Sequence, residues 1–446
     1  MSSEACAALG AREALRKKWL ARVRTHNTAV FSFQADMILV QNQRYVWEIL
    51  AFTLVLLVIW NYWLPLIATA SPFVYSLGSG DFALFYRAGG LWLAHQNPYV
   101  LNGATTDFVY PPSSLPLYGL LSLLDFRLAS EIWVVLYLAV FVAAAALLGS
   151  TLESGRRRIY VLIAALIFIT SYPLLYLIEL GQSDLLIAGI VILGLAFNRM
   201  GHKAASAFSL SVATLLKGPA ALFLIYFVVF ERDVRYLVLF LGSSILLVGA
   251  SLLVVPVGLY EYYLTRVLPV LATSASSGRF QVTMSGVQSI PALFAVAGFS
   301  SITPIVSIAA FLIFGIFAFS LGTWKAEVKM KGRILGDGMF LMNVLVMLLF
   351  VSRTETYSYV WVILPLALWL SALVMEKVNP LFLALICSAI FMFNSINSLK
   401  IFGSQSPPVL QGPFAIFGNL ILASTLIAMY LKPGSIEGEG RHSAFE

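Results

Sequence analysis

The sequence has little charge and few of the residues that bind metals or form disulfides. Only 11% of its 446 residues are charged, whereas soluble domains carry about 25%. So small a charged fraction excludes a soluble domain built around one core. Of the 2 cysteines, Cys6 lies in a polar tail and Cys387 in an apolar run, which indicates neither a disulfide nor a metal site.

Long apolar runs take the place of charge, and 60% of the residues are hydrophobic. Runs of about 20 apolar residues indicate helices that cross a lipid bilayer. The pattern predicts an all-α polytopic membrane protein with about 12 transmembrane segments. These segments are residues 47–69, 127–149, 159–178, 183–199, 204–216, 219–231, 236–257, 302–323, 336–351, 357–375, 380–399 and 413–431.

The fifth and sixth segments are too short to cross a bilayer alone, and Lys217-Gly218-Pro219 separates them. Basic residues flank the pair at both outer ends, and such residues collect in cytoplasmic loops. The pair therefore predicts a hairpin whose tip, with Lys217, reaches toward the outer half of the membrane. The flanking residues are Arg199, Lys203, Arg232 and Arg235.

The distribution of basic residues predicts the orientation of the chain. With these segments, 21 of the 28 Lys and Arg residues lie on the side of both termini, which is therefore cytoplasmic. The net charge of +7 is then a topology signal and predicts no nucleic-acid partner. We expect a plasma membrane, the bacterial inner membrane. The predicted parts are a basic cytoplasmic segment (1–46), a transmembrane catalytic domain (47–431) with outer loops 70–126 and 258–301, and a cytoplasmic tail (432–446).

Two local patterns refine this topology. Within residues 1–46, "REALRKKWLARVR" fits either an amphipathic helix on an anionic leaflet or a solvated basic tail. The first outer loop is long and rich in aromatic and apolar residues, which predicts helices lying in the membrane interface.

The outer face contains no ATP, and the sequence has no nucleotide-binding loop, so an outer group transfer needs a donor that arrives through the membrane. Lipid-linked sugar phosphates are the obvious class. Such a transfer needs a base for the acceptor hydroxyl and cations for the departing phosphate. Asp81, which follows Gly78-Ser79-Gly80, is either that base or a helix cap. Lys217 either contacts a lipid phosphate or forms an internal salt bridge with Glu179 or Asp184.

Other outer residues are candidates for substrate contacts. Arg279 and Arg353 have the planar fork that suits phosphate oxygens. Near Arg353, Glu355, Tyr357 and Tyr359 are placed to contact sugar hydroxyls, or the tyrosines form an interfacial aromatic belt.

The turn "LGQSD" supplies Gln182 and Asp184, as ligands or as turn formers. His95 is the only histidine predicted on the outer face, so we expect no metal and no other cofactor.

Several motifs together resemble glycosyltransferase family 87, the polyprenol-phosphate-mannose-dependent α-1,2-mannosyltransferases. "GDFALFYRAGGLWLAHQNPY" followed by "FVYPPSSLPLYGLL" resembles the family signature, and "LGQSDLLIAGIVILGLAF", "SVATLLKGPAALFL" and "SGVQSI" resemble later segments. The similarity extends from about residue 75 to 365. The matching positions are Asp81, Phe85-Tyr86, Ala88-Gly89-Gly90, Asn97-Pro98-Tyr99 and Tyr110-Pro111-Pro112.

The resemblance implies a GT-C fold and metal-independent, inverting transfer of mannose or another hexose or pentose. The donor would be a polyprenyl-phosphate sugar and the acceptor a glycolipid or glycan of the cell envelope. Asp81 would be the general base. From the charges discussed above, we expect Lys217, Arg279 and Arg353 to bind the donor phosphate. The expected substrate-binding residues are Tyr86, Arg87, Tyr99, Tyr110, Gln182, Asp184, Gln288, Glu355, Tyr357 and Tyr359.

The sequence departs from the family pattern at two places. Relatives often carry a histidine where "SRTETYSYVWVILP" has tyrosines and Glu355, so the sugar is left open. The glycine of the Gly-x-x-Pro-Tyr motif is replaced by His95 or Gln96. Two other functions fit the topology: a secondary transporter or lipid flippase, and an O-antigen ligase or polymerase that uses a diphosphate-linked donor.

Overall fold

Helices make up nearly all of the described chain, which confirms the predicted all-α fold. The basic segment 1–46, almost all of the first predicted span and much of the outer loop 258–301 lie outside the described residues. A computed structural model of the chain describes residue 53 and residues 80–101, 104–105, 108–269, 289–327, 332–351, 354–374, 377–378, 380–394, 414–431 and 436–437.

Most elements before residue 270 begin and end within a few residues of the predicted segments. The first outer loop contains two helices, as predicted, and a strand pair of two residues per strand. The elements are α1 (Asp81–Leu93), β1 (Val100–Leu101), β2 (Ala104–Thr105), α2 (Leu115–Ser122), α3 (Phe126–Ser150), α4 (Ser154–Thr170), α5 (Tyr172–Leu180), α6 (Asp184–Arg199), α7 (Lys203–Leu216), α8 (Val234–Leu252) and α9 (Val257–Tyr262). Pro112–Ser114 and Gly218–Phe223 are 3₁₀-helices, and Ile225–Phe230 and Tyr263–Val267 are π-helices.

The elements after residue 289 are mostly long apolar helices. A second pair of two-residue strands joins the segment after α13 to the C-terminal tail. The elements are α10 (Ile290–Val296), α11 (Thr303–Glu327), α12 (Gly332–Phe350), α13 (Ile363–Leu373), β3 (Lys377–Val378), α14 (Pro380–Asn394), α15 (Phe414–Leu431) and β4 (Ile436–Glu437), with 3₁₀-helices at Ser300–Ile302 and Thr356–Val362.

Four helical segments of the described residues are long and apolar enough to cross a bilayer, or five if α4 and α5 form one bent crossing. The protein is therefore a multi-pass membrane protein, whereas the total of about 12 crossings stays a prediction. The segment Thr356–Leu373 is central, because 94% of it is buried, against 11% of α8. The exposed apolar side chains of α8 match the lipid tails that such a helix faces.

The predicted span 159–178 is not one straight helix. It breaks at Ser171, and α4 and α5 meet at an angle of 59°. Pro173 lies in the first turn of α5, where its missing N–H costs nothing, but within one long helix it would remove a hydrogen bond. Ser171 adopts an extended conformation and its hydroxyl accepts from the Leu174 N–H at 3.4 Å, which starts the second helix.

The predicted hairpin is confirmed. Lys203, at the start of α7, forms an ion pair with Asp233, which precedes α8, so the chain returns to the level at which it left. The Lys203 ammonium holds the pKa of Asp233 below its ordinary value. Lys217 therefore lies at the tip of the hairpin. The returning arm is not a regular α-helix, because 3₁₀ and π segments replace the predicted helix 219–231.

A buried ionic cluster lies at the opposite end of the bundle from Lys217. The Asp337 carboxylate, with no exposed side-chain area, accepts from the guanidinium groups of Arg156 and Arg199. Arg156 also donates to the Leu368 carbonyl at 2.9 Å. The cluster joins α4, α6, α12 and α13. These basic residues were assigned to one membrane side from the sequence, and the structure brings them together.

Candidate active site

The Asp81 side chain begins α1 and contacts another helix pair rather than its own helix. Gly80 is the N-cap of α1, and Asp81 makes no capping hydrogen bond. Instead the Gln182 amide donates a hydrogen bond to Asp81 Oδ2. Among the described residues no other side chain donates to this carboxylate. Asp81 is half-buried, so part of its side chain is accessible to a substrate hydroxyl.

The turn between α5 and α6 aims Gln182 at Asp81. Gly181 ends α5 with φ of 70°, a left-handed conformation that glycine adopts without steric cost. Its carbonyl accepts from the indole N–H of Trp133 at 2.8 Å. The predicted tight turn is thus confirmed, and it is held from α3.

Tyr110 links the Gln182 amide to the first outer loop. The Tyr110 hydroxyl donates to Gln182 Oε1 at 3.0 Å, and the Tyr99 hydroxyl donates to the Tyr110 carbonyl at 2.8 Å. Burial raises the pKa of Tyr99 above its ordinary value, so its hydroxyl keeps its proton and remains a donor. The side chain of Gln182 is therefore fixed on both sides, with its N–H₂ toward Asp81.

Lys217 is paired with Asp184, one of the two partners expected from the sequence. The distance from Lys217 Nζ to Asp184 Oδ2 is 2.5 Å, and the other carboxylate oxygen accepts from the Trp361 indole N–H at 2.8 Å. The Asp184 side chain is 2% exposed and that of Lys217 is 23% exposed. Lys217 Nζ also lies 5.8 Å from the centre of the Tyr110 ring and 5.7 Å from that of Tyr357.

Tyr357 marks the place where the acidic groups of the site converge. The carboxylates of Asp81, Asp184 and Glu355 all lie within electrostatic range of its hydroxyl. The Tyr357 ring packs against the Tyr176 ring of α5 at 6.2 Å between centres. The site thus contains three carboxylates, one ammonium group and the faces of several tyrosine rings. We call this group the outer cluster, after the side of the membrane on which the sequence predicts it; its members are Asp81, Asp184, Glu355, Lys217, Tyr110, Tyr176 and Tyr357.

An aromatic core beneath α1 supports Asp81. Phe82 and Phe85, the residues that follow it on the inner face of α1, are fully buried. The Phe85 ring stacks on the Tyr118 ring of α2 at 4.9 Å, and the Phe82 ring stacks on Trp133 at 6.1 Å. Because these large rings fill the space between α1, α2 and α3, the start of α1 is held rigidly.

Some predicted site residues have structural contacts elsewhere. The Tyr86 hydroxyl donates to the Leu124 carbonyl at 2.8 Å, and the Tyr99 hydroxyl is bound to the Tyr110 carbonyl. Arg87 is exposed on α1, and within the described part of the chain the structure gives it no contact with the site. Tyr359 is buried and its hydroxyl is hydrogen-bonded with Asn419. Three further predicted residues lie outside the described residues: Arg279, Gln288 and Arg353.

The sequence analysis missed two tryptophans that hold the site. Trp361 binds Asp184, and Trp133 binds the turn that carries Gln182. Both lie in apolar runs, where the interfacial or core interpretation of an aromatic residue is the natural one. The available signal was the indole N–H, which must find an acceptor when it is buried.

The described residues contain no group of three or more His, Cys, Asp or Glu side chains able to hold a metal ion. What the outer cluster offers is a half-buried carboxylate for a proton and an ammonium group for an anion. Both are partly shielded from water, and charge interactions are stronger there than in bulk water.

The sequence profile described as glycosyltransferase family 87 matches residues 108–352, more than half of the chain. No curated protein matches the chain. The crystal structure of the Archaeoglobus fulgidus oligosaccharyltransferase in the apo form is similar, with a TM-score of 0.37 and 11% identity over 85% of this chain and 56% of that chain. The chain thus spans little more than half the length of that enzyme.

Proposed function

Because the chain belongs to glycosyltransferase family 87, we propose that it transfers a sugar from a polyprenyl-phosphate donor to a glycolipid or glycan acceptor. That it is a membrane glycosyltransferase follows from the family and the apolar helices. The donor, the acceptor class, the outer-face location, the bacterial inner membrane and the mechanism are the proposal. A transporter or flippase has no support from this family assignment.

Asp81 is the general base of the proposed reaction. The single observation that carries this role is the hydrogen bond from Gln182, which fixes one oxygen of the half-buried carboxylate. A carboxylate held in one orientation can accept a proton from an acceptor hydroxyl without reorganisation. The first turn of a helix also favours a negative charge at this position.

Lys217 is the cation that stabilises the departing phosphate. Its ammonium group has three N–H donors, and Asp184 accepts from it at 2.5 Å. The salt bridge and a phosphate role are compatible, because Asp184 holds the ammonium at the hairpin tip while other donors face the phosphate. Arg279 and Arg353 stay predicted partners of the same phosphate.

The proposed reaction is a single displacement. The acceptor oxygen forms a bond to the anomeric carbon while its proton passes to Asp81. The bond between the anomeric carbon and the phosphate oxygen breaks, and polyprenyl phosphate leaves with the electron pair beside Lys217. One displacement inverts the anomeric configuration, and the binding of both substrates in line supplies much of the rate. No metal enters this scheme.

Replacement of the base tests the proposal. In purified full-length protein in nanodiscs, Asp81→Asn should lower the transfer of labelled sugar from a polyprenyl-phosphate donor by about 10²-fold or more, since general-base catalysis supplies about 10²–10⁴-fold. Asp125→Asn is the matched control, because Asp125 is an exposed N-cap of the same outer loop and asparagine caps equally well.

The outcomes separate the alternatives. Full activity of Asp81→Asn, with both proteins equally folded by thermal unfolding, would remove Asp81 from the mechanism. Transfer by the wild-type protein from a diphosphate-linked donor, with none from the monophosphate, would favour the ligase or polymerase interpretation instead.

A further inference from the structure

A pocket lies beyond the C-terminal end of α1, away from the outer cluster. Its volume is about 480 Å³, which is within the size range of small-molecule binding sites. It opens between the end of α1 and the segment from α8 to α9. The lining residues are Trp92, Leu93, His95, Gln96, Asn97, Val254, Pro256, Gly258, Leu259 and Tyr262.

His95 lines this pocket, and its backbone adopts a conformation that is unfavourable for residues other than glycine. The N–H of His95 donates to the Trp92 carbonyl at 3.0 Å and that of Gln96 to the Leu91 carbonyl at 2.8 Å, which is the common glycine-ended helix terminus. His95 has φ of 57°, a conformation that glycine adopts far more readily. Position 95 therefore corresponds to the glycine of the Gly-x-x-Pro-Tyr motif, and its imidazole replaces a residue that would suit the backbone better.

The lining of the pocket suits an uncharged saccharide. His95 and Gln96 are exposed polar side chains on one wall, and the half-buried rings of Trp92 and Tyr262 contribute apolar surface. None of the described lining residues is Asp, Glu, Lys or Arg. A phosphate or diphosphate would need cationic partners, so the phosphate of the donor fits the outer cluster and not this pocket.

The rim of the pocket is strongly apolar. Leu253, Val254 and Val257, at the junction of α8 and α9, are 85%, 57% and 72% exposed. Such side chains at the end of a membrane-spanning helix are in contact with lipid. A ligand that binds here therefore meets polar groups and rings on the inside and acyl chains at the rim, which suits a glycolipid.

The pocket is too far from Asp81 to hold the reacting sugar. Asp81 begins α1 and His95 follows its end, and at 1.5 Å per residue the two are separated by about 20 Å. We propose that this pocket, the distal pocket, binds a saccharide unit of an extended lipid-anchored acceptor whose reacting hydroxyl lies at Asp81. The proposal rests on the proposed function and specifies its acceptor.

Acceptor length is the variable that tests the distal pocket. Glycolipids are extracted from the membranes of cells that produce the protein and are separated into short-glycan and long-glycan fractions. Full-length protein in nanodiscs is then given one fraction together with a labelled polyprenyl-phosphate sugar. His95→Gly with Gln96→Ala should raise KM for the long-glycan fraction about fivefold, as the loss of about one hydrogen bond implies. The kcat, the donor KM and the KM for the short-glycan fraction should stay within twofold. Glu131→Gln, a half-exposed residue of α3, is the control.

His95→Gly alone gives a second, opposite readout. Glycine relieves the left-handed backbone, so the melting temperature should rise while KM for the long-glycan fraction also rises. A change that merely loosened the fold would lower the melting temperature. Unchanged KM for long glycans, an equal effect on both fractions, or an effect on the donor KM instead would each overturn the proposal.

A binding measurement keeps this inference separate from the proposed function. The long-glycan fraction is titrated into Asp81→Asn protein with and without the two pocket substitutions, and weaker binding with them supports the distal pocket even if no transfer is found. Equal binding overturns it. Absence of transfer by the wild-type protein contradicts the proposed function alone.

Discussion

Asp184 is the residue on which two parts of the outer cluster depend, because it binds Lys217 and Trp361 at once. The sequence predicted it as one of two partners for Lys217. It could not predict the contact between Asp81 and Gln182, which are 101 residues apart. Such a contact depends on the packing of helices, and spacing along the chain carries no information about it.

A double-mutant cycle separates the structural and catalytic roles of Lys217. Asp184→Asn should lower the free energy of unfolding by about 2 kcal/mol, because it leaves a partly buried ammonium without its counter-charge. Lys217→Met combined with the same Asp184→Asn should recover most of that stability, since it removes both charges and leaves an amide oxygen for the Trp361 N–H. The double variant should nevertheless bind the polyprenyl-phosphate donor weakly. Chemical unfolding and donor titration measure the two effects, and normal donor affinity would leave Lys217 with a purely structural role.

At the scale of elements, α1 and α2 pack closely because each helix presents a glycine to the other, Gly89 on α1 and Gly119 on α2. A Cβ atom at Gly89 would lie 2.3 Å from the Tyr118 carbonyl oxygen, and one at Gly119 would lie 2.5 Å from the Trp92 ring. The motif match at Ala88-Gly89-Gly90 is therefore explained by a close approach of backbones. This packing fixes the direction of α1, and with it the positions of Asp81 and of the distal pocket.

Two adjacent glycines give a matched test of this packing. Gly89→Ala should destabilise the fold and lower transfer, because backbone of α2 would have to move by a substantial fraction of a van der Waals contact. Gly90→Ala meets nothing within 4 Å and should stabilise α1 by up to about 1 kcal/mol. Thermal unfolding of both variants checks this. Equal stability of the two variants would mean that α1 and α2 do not approach each other this closely at Gly89.

Element boundaries were predictable to within a few residues where apolar runs were long. The presence of helices in the first outer loop and the hairpin were predicted correctly, because composition and charge decide them, whereas the position of these helices in the membrane interface stays a prediction. The bend at Ser171 and the 3₁₀ and π turns of 218–230 were not predicted. Their apolar sequences resemble ordinary helix, and only the packing and Pro173 distinguish them.

At the scale of the whole molecule, charge separates into two ends. Asp184 and Arg199 bound α6, so the outer cluster and the Asp337 cluster are separated by about 22 Å along this helix. The positive-inside rule assigned Arg156 and Arg199 to one side and Lys217 to the other, and the structure places them at opposite ends of the bundle. Which end faces the cytoplasm is a prediction, since packing does not depend on it.

Labelling of single cysteines tests the orientation. In a background without Cys6 and Cys387, Arg127→Cys should react with a membrane-impermeant maleimide in intact cells, because the Arg127 side chain is 88% exposed at the outer-cluster end. His202→Cys, exposed at the other end, should react only after permeabilisation. The mass shift of each variant after treatment with the maleimide measures the extent of both reactions. The reverse pattern would place Asp81 in the cytoplasm and contradict the proposed reaction.

The turn that joins α5 and α6 has a consequence for the substrates that can react. In the proposed reaction, Gln182 orients the proton acceptor Asp81, and Asp184 holds Lys217, the cation for the leaving group. Only Ser183 separates Gln182 from Asp184, so one short turn ties together two groups that lie on α1 and on the hairpin. On this proposal, substrates that differ far from the reacting carbon would share the site, whereas a bulkier group at that carbon would not fit.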